Sequence, residues 1–185
     1  DAHVRYVTPE LVRAMQDAQC YALDFGIESG VDRLLKVIKK NTTVKQIEDA
    51  LHCVRTHSRI KMNGLFILGL PSETYDEACA TIDFAKRLPL EMAQFSILTP
   101  YPGSPLFNDL KQSGALDTGV RSDGSVELSV WDLYSAYVSF TDKDPICVTP
   151  SLSSEEVRDL QKKAQREFYL RPYQIACQIK RLRLH

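Results

Sequence analysis

Ile60-Lys61-Met62-Asn63-Gly64-Leu65-Phe66-Ile67-Leu68-Gly69-Leu70-Pro71-Ser72-Glu73-Thr74 is the stretch that decides the fold. Past Lys61 and Asn63 it stays apolar to Leu70, too continuous for a strand with one wet face, and it predicts a parallel strand buried on both sides. Pro71 halts the run, and Thr74 with Glu77 three residues later forms a capping box, in which hydroxyl and carboxylate satisfy two orphan amides of a helix start. Ala78, Ile82 and Ala85 carry the apolar stripe of that helix, which ends near Leu88.

The same strand-turn-helix unit recurs on either side. Thr8-Pro9-Glu10 reads as an N-cap, a proline at the first helical position and an acid in the first turn, starting a helix that runs to about Ala18. Tyr21 to Ile27 is a short strand closed by the Glu28-Ser29-Gly30 turn, and Val31 to Lys39 is helical. Thr43 with Gln46 caps a further helix, apolar at Ile47, Leu51 and Val54, that ends near His57. Met92 to Leu98 is the third strand, and Ser104-Pro105 begins a short helix that stops at Gly114. Residues 115–150 read as a long excursion with short strands around Ala136 to Phe140 and Ile146 to Val148, after which Ser153 and Glu156 cap a closing helix to about Tyr169, ended by Pro172. Strands alternating with helices predict an α/β chain of right-handed βαβ units over residues 1–114, followed by a helical and irregular extension over 115–185. Three strands do not close a barrel. Such a sheet exposes an apolar face and edge, so further strands are expected beside it, and self-association without them.

The 185 residues are 44% hydrophobic with a net charge of -1, the makeup of one soluble domain with no basic surface for nucleic acid. Cys20, Cys53, Cys79, Cys147 and Cys177 are odd in number and widely spaced, which predicts reduced thiols in the cytoplasm rather than a disulfide framework. His3, His52, His57 and His185 show no metal-ligand spacing, and no apolar run reaches the roughly 18 residues that cross a bilayer. From Glu155 onward eight Lys or Arg stand against four Asp or Glu, which reads as a solvated helix ahead of a membrane-binding surface. Trp131 and Tyr134 read as packing beneath the long loop. Asp1, with a helix signal close behind it, is expected to open a piece of a longer polypeptide.

Three segments stand at predicted strand ends, where α/β sheets bind their ligands. Gly26-Ile27-Glu28-Ser29-Gly30 places a carboxylate and a hydroxyl on a tight turn, suited to ribose hydroxyls or an amino acid's ammonium, although a solvated turn explains Glu28 equally. In the Gly64 to Thr74 segment, Gly64 and Gly69 let a flat ring approach the backbone around Ile67, although a buried core strand accounts for the same residues. Thr99-Pro100-Tyr101-Pro102-Gly103-Ser104-Pro105-Leu106-Phe107 presets a stiff loop fit for one lip of a pocket.

Together and in this order, these segments resemble the second half of the radical S-adenosylmethionine superfamily. The likeness is strongest to the branch whose members often carry an N-terminal cobalamin-binding domain. It runs from Thr8 to Gly114 and, more faintly, through Phe168-Tyr169-Leu170-Arg171-Pro172. The resemblance implies the last three strands of a partial, TIM-like (β/α)6 barrel that binds S-adenosylmethionine. It implies that Glu28 and Ser29 stand beside the ribose and methionine, that Gly64, Ile67 and Gly69 line the adenine, that Thr99 and Tyr101 close the far side, and that Glu73 braces its loop. It also implies a 4Fe-4S cluster on a Cys-x3-Cys-x2-Cys loop and, in the same branch, cobalamin, both held outside this chain. The activity implied is radical chemistry on a small, apolar substrate, by methyl transfer or ring modification, with this chain inactive until joined to the N-terminal half of the same protein. The sequence departs from the family by lacking the cysteine triplet. Gln19 and Arg59 stand where the family ends helices with glycine, and Ser72 interrupts Pro71-Ser72-Glu73. A second reading is a cluster-less half barrel that binds a nucleotide-like ligand or a partner chain.

Overall fold

The computed structural model describes residues 2–114 and 149–172, with isolated positions between 116 and 146 and between 174 and 179. After a 3-10 turn at Val4–Tyr6 the elements are α1 (Pro9–Asp17), β1 (Ala22–Glu28), α2 (Asp32–Val37), α3 (Val44–His57), β2 (Lys61–Leu68), α4 (Tyr75–Arg87), β3 (Met92–Ile97), α5 (Pro105–Gln112) and α6 (Ser154–Tyr169). The strands are parallel in the order β1-β2-β3, with Gly64 of β2 opposite Phe25 on one side and Ala93 on the other. The capping boxes at Thr43, Thr74 and Ser153 are all formed, which fixes three helix starts where the sequence places them. The strand expectations at Ala136 to Phe140 and at Cys147 and Val148 fall outside the described residues, as does Trp131. Tyr134 is buried edge-on against Phe107, with ring centroids 5.4 Å apart.

Strand β2 is not buried on both sides. Its burial alternates: Met62, Gly64, Phe66 and Leu68 lie under the helices, whereas Lys61, Asn63, Leu65 and Ile67 stay partly open. The helix-covered face is the core: Phe66 stacks on Phe95 at 5.1 Å and Phe95 meets the edge of Phe168 from α6 at 6.3 Å. The expected bare apolar face is in fact mixed, with Asp24, Gln94 and Ser96 beside Leu65 and Ile67, and Asn63 Nδ2 donating to Asp24 Oδ1 at 2.7 Å. An unbroken apolar run thus reports what one face needs, while nothing in it reveals how little covers the other.

The open edge expected of a bare sheet is filled at β3, while on β1 it is met at one point. Gln161 of α6 donates to Phe95 O at 2.8 Å, and the Tyr169 hydroxyl donates to Ala93 O at 3.0 Å while accepting from Ala93 N at 3.3 Å. Side chains of α6 therefore serve the free edge of β3 in place of a fourth strand. On the outer side of β1, Ala2 N donates to Asp24 O at 2.8 Å and Ala2 forms a parallel bridge with Phe25. Among the described residues no helix is long and apolar enough to cross a membrane. Of the two departures from family glycines, Gln19 adopts a positive φ of 61°, whereas Arg59 is not among the positive-φ residues and needs no glycine; Ser72, the third departure, stands at φ 62°.

Two substitutions test this account. Gln161→Leu keeps the volume but strands Phe95 O, and is expected to cost about 1–3 kcal/mol in denaturant unfolding and to raise concentration-dependent light scattering. Gln19→Gly relieves a left-handed residue, and should stabilise by about 0.5–1 kcal/mol.

Candidate functional site

Strand β1 leaves the sheet through Glu28, a non-glycine residue at φ 67°, with a register shift between Gly26 and Glu28. A backbone held in this sparsely populated region costs on the order of 1–3 kcal/mol and persists only where the surroundings enforce it. Its effect is to fold the carboxylate back over Gly26, where a Cβ would stand 2.8 Å from Glu28 Oε1 and 3.1 Å from Lys40 Nζ. Because Gly26 alternates with buried Phe25 and Ile27, this position belongs to the open face of the sheet. Lys40 Nζ donates to Glu28 Oε1 at 2.8 Å, and each side chain keeps about one fifth of its surface exposed. Lys40 is a candidate site residue that the sequence reading missed. It arrives from the loop after α2, between Lys39 and Asn41 at φ 55° and 53°, and the only local signal for it is a lysine in a tight turn.

The other residues expected at the site divide into two groups. Ile67 stands half-buried on the open face, and Thr99 and the half-exposed Tyr101 directly follow β3, so these three share the C-terminal end of the sheet with Glu28. Ser29 and Gly64 face the helix layer instead. Ser29 is fully buried, its Oγ lies 3.1 Å from Thr81 Oγ1 and accepts from Val31 N at 3.2 Å. A Cβ on Gly64 would meet Leu90 Cδ1 at 2.6 Å and Phe66 Cε2 at 2.8 Å, so the missing side chain makes room for the core. Gly69, at φ 79°, turns the end of β2 against α6, where a Cβ on it would meet Val157 Cγ1 at 3.4 Å. The grouping forms an open wall. A more enclosed hollow, of about 220 Å³, lies elsewhere, against the outer edge of β1 beside Ala2, Tyr6, Leu11, Met15, Leu23 and Asp24.

Glu73 braces its loop as expected. Its Oε2 accepts from Gly69 N at 2.5 Å and Leu70 N at 3.0 Å, so neither amide is free to pair with a ligand. The residue is fully buried and, among the described residues, its Oε1 has no partner. Burial is the main cause that pushes its carboxyl up to about 7, against the pull of the two backbone amides. Across α4, the Arg33 guanidinium holds Glu77 down at about 2 through a bidentate pair. Among the described residues no group of three His, Cys, Asp or Glu could hold a metal ion, and Cys20, Cys53 and Cys79 are free thiols, so this chain's described residues offer no seat for an iron-sulfur cluster.

No family model matches the chain. It is similar to an uncharacterized methyltransferase of Pyrococcus horikoshii, 34% identical over 173 residues that make up 92% of this chain and 34% of the relative. It is also similar to the cytidylyl-2-hydroxyethylphosphonate methyltransferase of Streptomyces wedmorensis, 29% identical over 88% of this chain and 29% of that one. Among solved structures, the radical S-adenosylmethionine methyltransferase TsrM of Kitasatospora setae, bound to tryptophan substrate and a cofactor analogue, matches with a TM-score of 0.60 at 18% identity over 93% of this chain and 36% of that one. At that identity the likeness is one of fold, and it places these three strands within an α/β barrel. The chain spans about a third of the length of the proteins it matches.

Glu73 makes stability pH-dependent. Its carboxyl titrates near 7 when folded and near 4.5 when unfolded, so the folded form keeps an extra proton in between and stability falls as pH rises through that window. The change is on the order of 3 kcal/mol. Glu73→Gln keeps an acceptor for the two amides and removes the titration. Denaturant unfolding across the window should give a flatter profile for the variant, and an equally steep one would contradict the assignment.

Proposed function

Because this chain belongs to the radical S-adenosylmethionine superfamily, we propose that Glu28 and Lys40 hold the methionyl end of S-adenosylmethionine in an enzyme whose cluster is bound by a preceding half of the same polypeptide. The observation that carries the reading is the ion pair above Gly26. A carboxylate and an ammonium side by side are the complement of an amino acid's own two charges. Glu28 accepts from the ligand's α-ammonium and Lys40 donates to its α-carboxylate, so all four charges stay paired when the ligand enters. The room that Gly26 leaves beneath the pair keeps both groups on the open face. Ile67 offers an apolar surface on which the adenine lies, and Thr99 with Tyr101 closes the side beyond β3. Ser29, Gly64 and Gly69 shape these walls from behind.

When bound, the cofactor and a reduced 4Fe-4S cluster supply hydrogen-abstracting radical chemistry. The part taken by this chain's residues is to orient the methionyl group and to keep one wall of the cavity in place. The names of these two relatives favour methyl transfer over ring modification as the outcome. A small-molecule substrate, and cobalamin as methyl carrier in a domain outside this chain, belong to the same reading. The cluster-less binding module is the weaker reading, since the relatives are named as methyltransferases along nearly the whole chain.

The test is S-adenosylmethionine affinity in the full-length polypeptide with its cluster reconstituted. Lys40→Ala and Glu28→Gln should each weaken binding by about tenfold or more, the equivalent of about 1–3 kcal/mol for a charged group left without its partner. Lys45→Ala, which removes an exposed pair with Asp49, should leave binding unchanged. Wild-type affinity in both site variants would remove the pair from the site.

A further inference from the structure

We propose that Thr81 and Arg33, neither of which reaches the open face, are positioning residues that lock the turn after β1 to the turn after β2, so that one ligand can be gripped by both. The inference rests on the reading that S-adenosylmethionine spans those two turns, from Glu28 to the end of β2.

Glu77, Thr81 and Phe84 are four and three residues apart and so form one stripe of α4. Against this stripe lies the turn that leaves Glu28. Gly30 sits flush on it, since a Cβ there would be 2.5 Å from Phe84 Cβ. Thr81 Oγ1 accepts from Gly30 N at 3.1 Å and shares a hydrogen bond of 3.1 Å with Ser29 Oγ. Thr81 and Ser29 are both fully buried, so the hydroxyl pair that links them is shielded from water. One turn nearer the start of α4, Glu77 takes Arg33 Nε at 2.7 Å and Nη2 at 2.5 Å. The same guanidinium donates from Nη1 to Ser72 Oγ at 2.9 Å and from Nη2 to Ser72 O at 2.8 Å. Ser72 is held at φ 62°, and the next residue, Glu73, ties down the amides of Gly69 and Leu70.

The contacts form one continuous path. From Glu28 it runs through Ser29 and Gly30 to Thr81 on α4, and from Arg33 on α2 through Ser72 and Glu73 to the end of β2. Arg33 is about half exposed, with 48% of its side-chain surface open, where an ion pair adds little stability. Its planar fork fixes distance and angle at both ends, which is a geometric contribution more than an energetic one. A ligand that bridges two walls gains over its separate halves only while the walls keep their spacing. Loosening the path lets each wall still bind its own half of the ligand while the bridging advantage is lost.

The experiment uses the full-length, cluster-loaded polypeptide and three probes: S-adenosylmethionine, methylthioadenosine and methionine. Thr81→Val and Arg33→Gln should each raise the dissociation constant of S-adenosylmethionine by about tenfold and those of the two halves by less than about twofold. Thr81→Ser, which keeps the hydroxyl, should restore wild-type behaviour. Arg33→Gln alters only the surface and carries the test alone if Thr81→Val does not fold. Equal weakening of the whole ligand and its halves, or unchanged S-adenosylmethionine binding, overturns the inference. A wild-type protein that binds none of the three probes overturns the cofactor reading beneath it.

Discussion

One-sided burial of β2 is the constraint on which the remaining structure depends. Phe66 must meet Phe95, and Phe95 must meet Phe168, for the helices to have a core to pack on. Side chains alternate along a strand, so a slip of one residue would bury Asn63 and expose Phe66. The register that satisfies the aromatic face also decides what the other face displays: Asp24, Gly26, Asn63, Leu65, Ile67, Gln94 and Ser96. Glu28 joins that set by the same alternation, and the register shift after Gly26 with its left-handed backbone folds its carboxylate back over Gly26. The site is therefore what the packed face leaves over, with one strained residue added.

The sheet is asymmetric in a way that fits a partial barrel. At β3 it ends for good, since Gln161 and Tyr169 occupy the backbone groups that a fourth strand would use. At β1, by contrast, the described residues supply a single isolated bridge, from Ala2 to Phe25, with Ala2 N donating to Asp24 O. The motif Phe168-Tyr169-Leu170-Arg171-Pro172 supplies that closure: Phe168 fills the core, Tyr169 serves the edge, and Arg171 lies over the Phe168 ring at 4.0 Å.

The local features were legible in the sequence and the through-space ones were not. Capping boxes and apolar periods depend on residues three or four apart, so Thr43, Thr74 and Ser153 reveal their helices directly. An apolar run cannot say what covers it, which is why β2 reads as buried on both faces. Ser29 and Gly64 read as ligand-facing because their orientation depends on a register shift and on Leu90, neither of which leaves a local trace. Lys40, Thr81 and Arg33 escape for the same reason: their partners lie 12, 52 and 44 residues away and only the fold brings them together. Gln19 is legible as a departure from a glycine pattern, and its φ of 61° shows that the backbone keeps the conformation even without the glycine.

The central claim is that the Glu28–Lys40 pair receives the methionyl group of S-adenosylmethionine. It is tested most directly by a crystal structure of the full-length polypeptide with the cofactor bound. The account predicts the methionyl carboxylate at about 3 Å from Lys40 Nζ, with the ammonium on Glu28. A cofactor seated elsewhere, with the ion pair above Gly26 undisturbed, would contradict it.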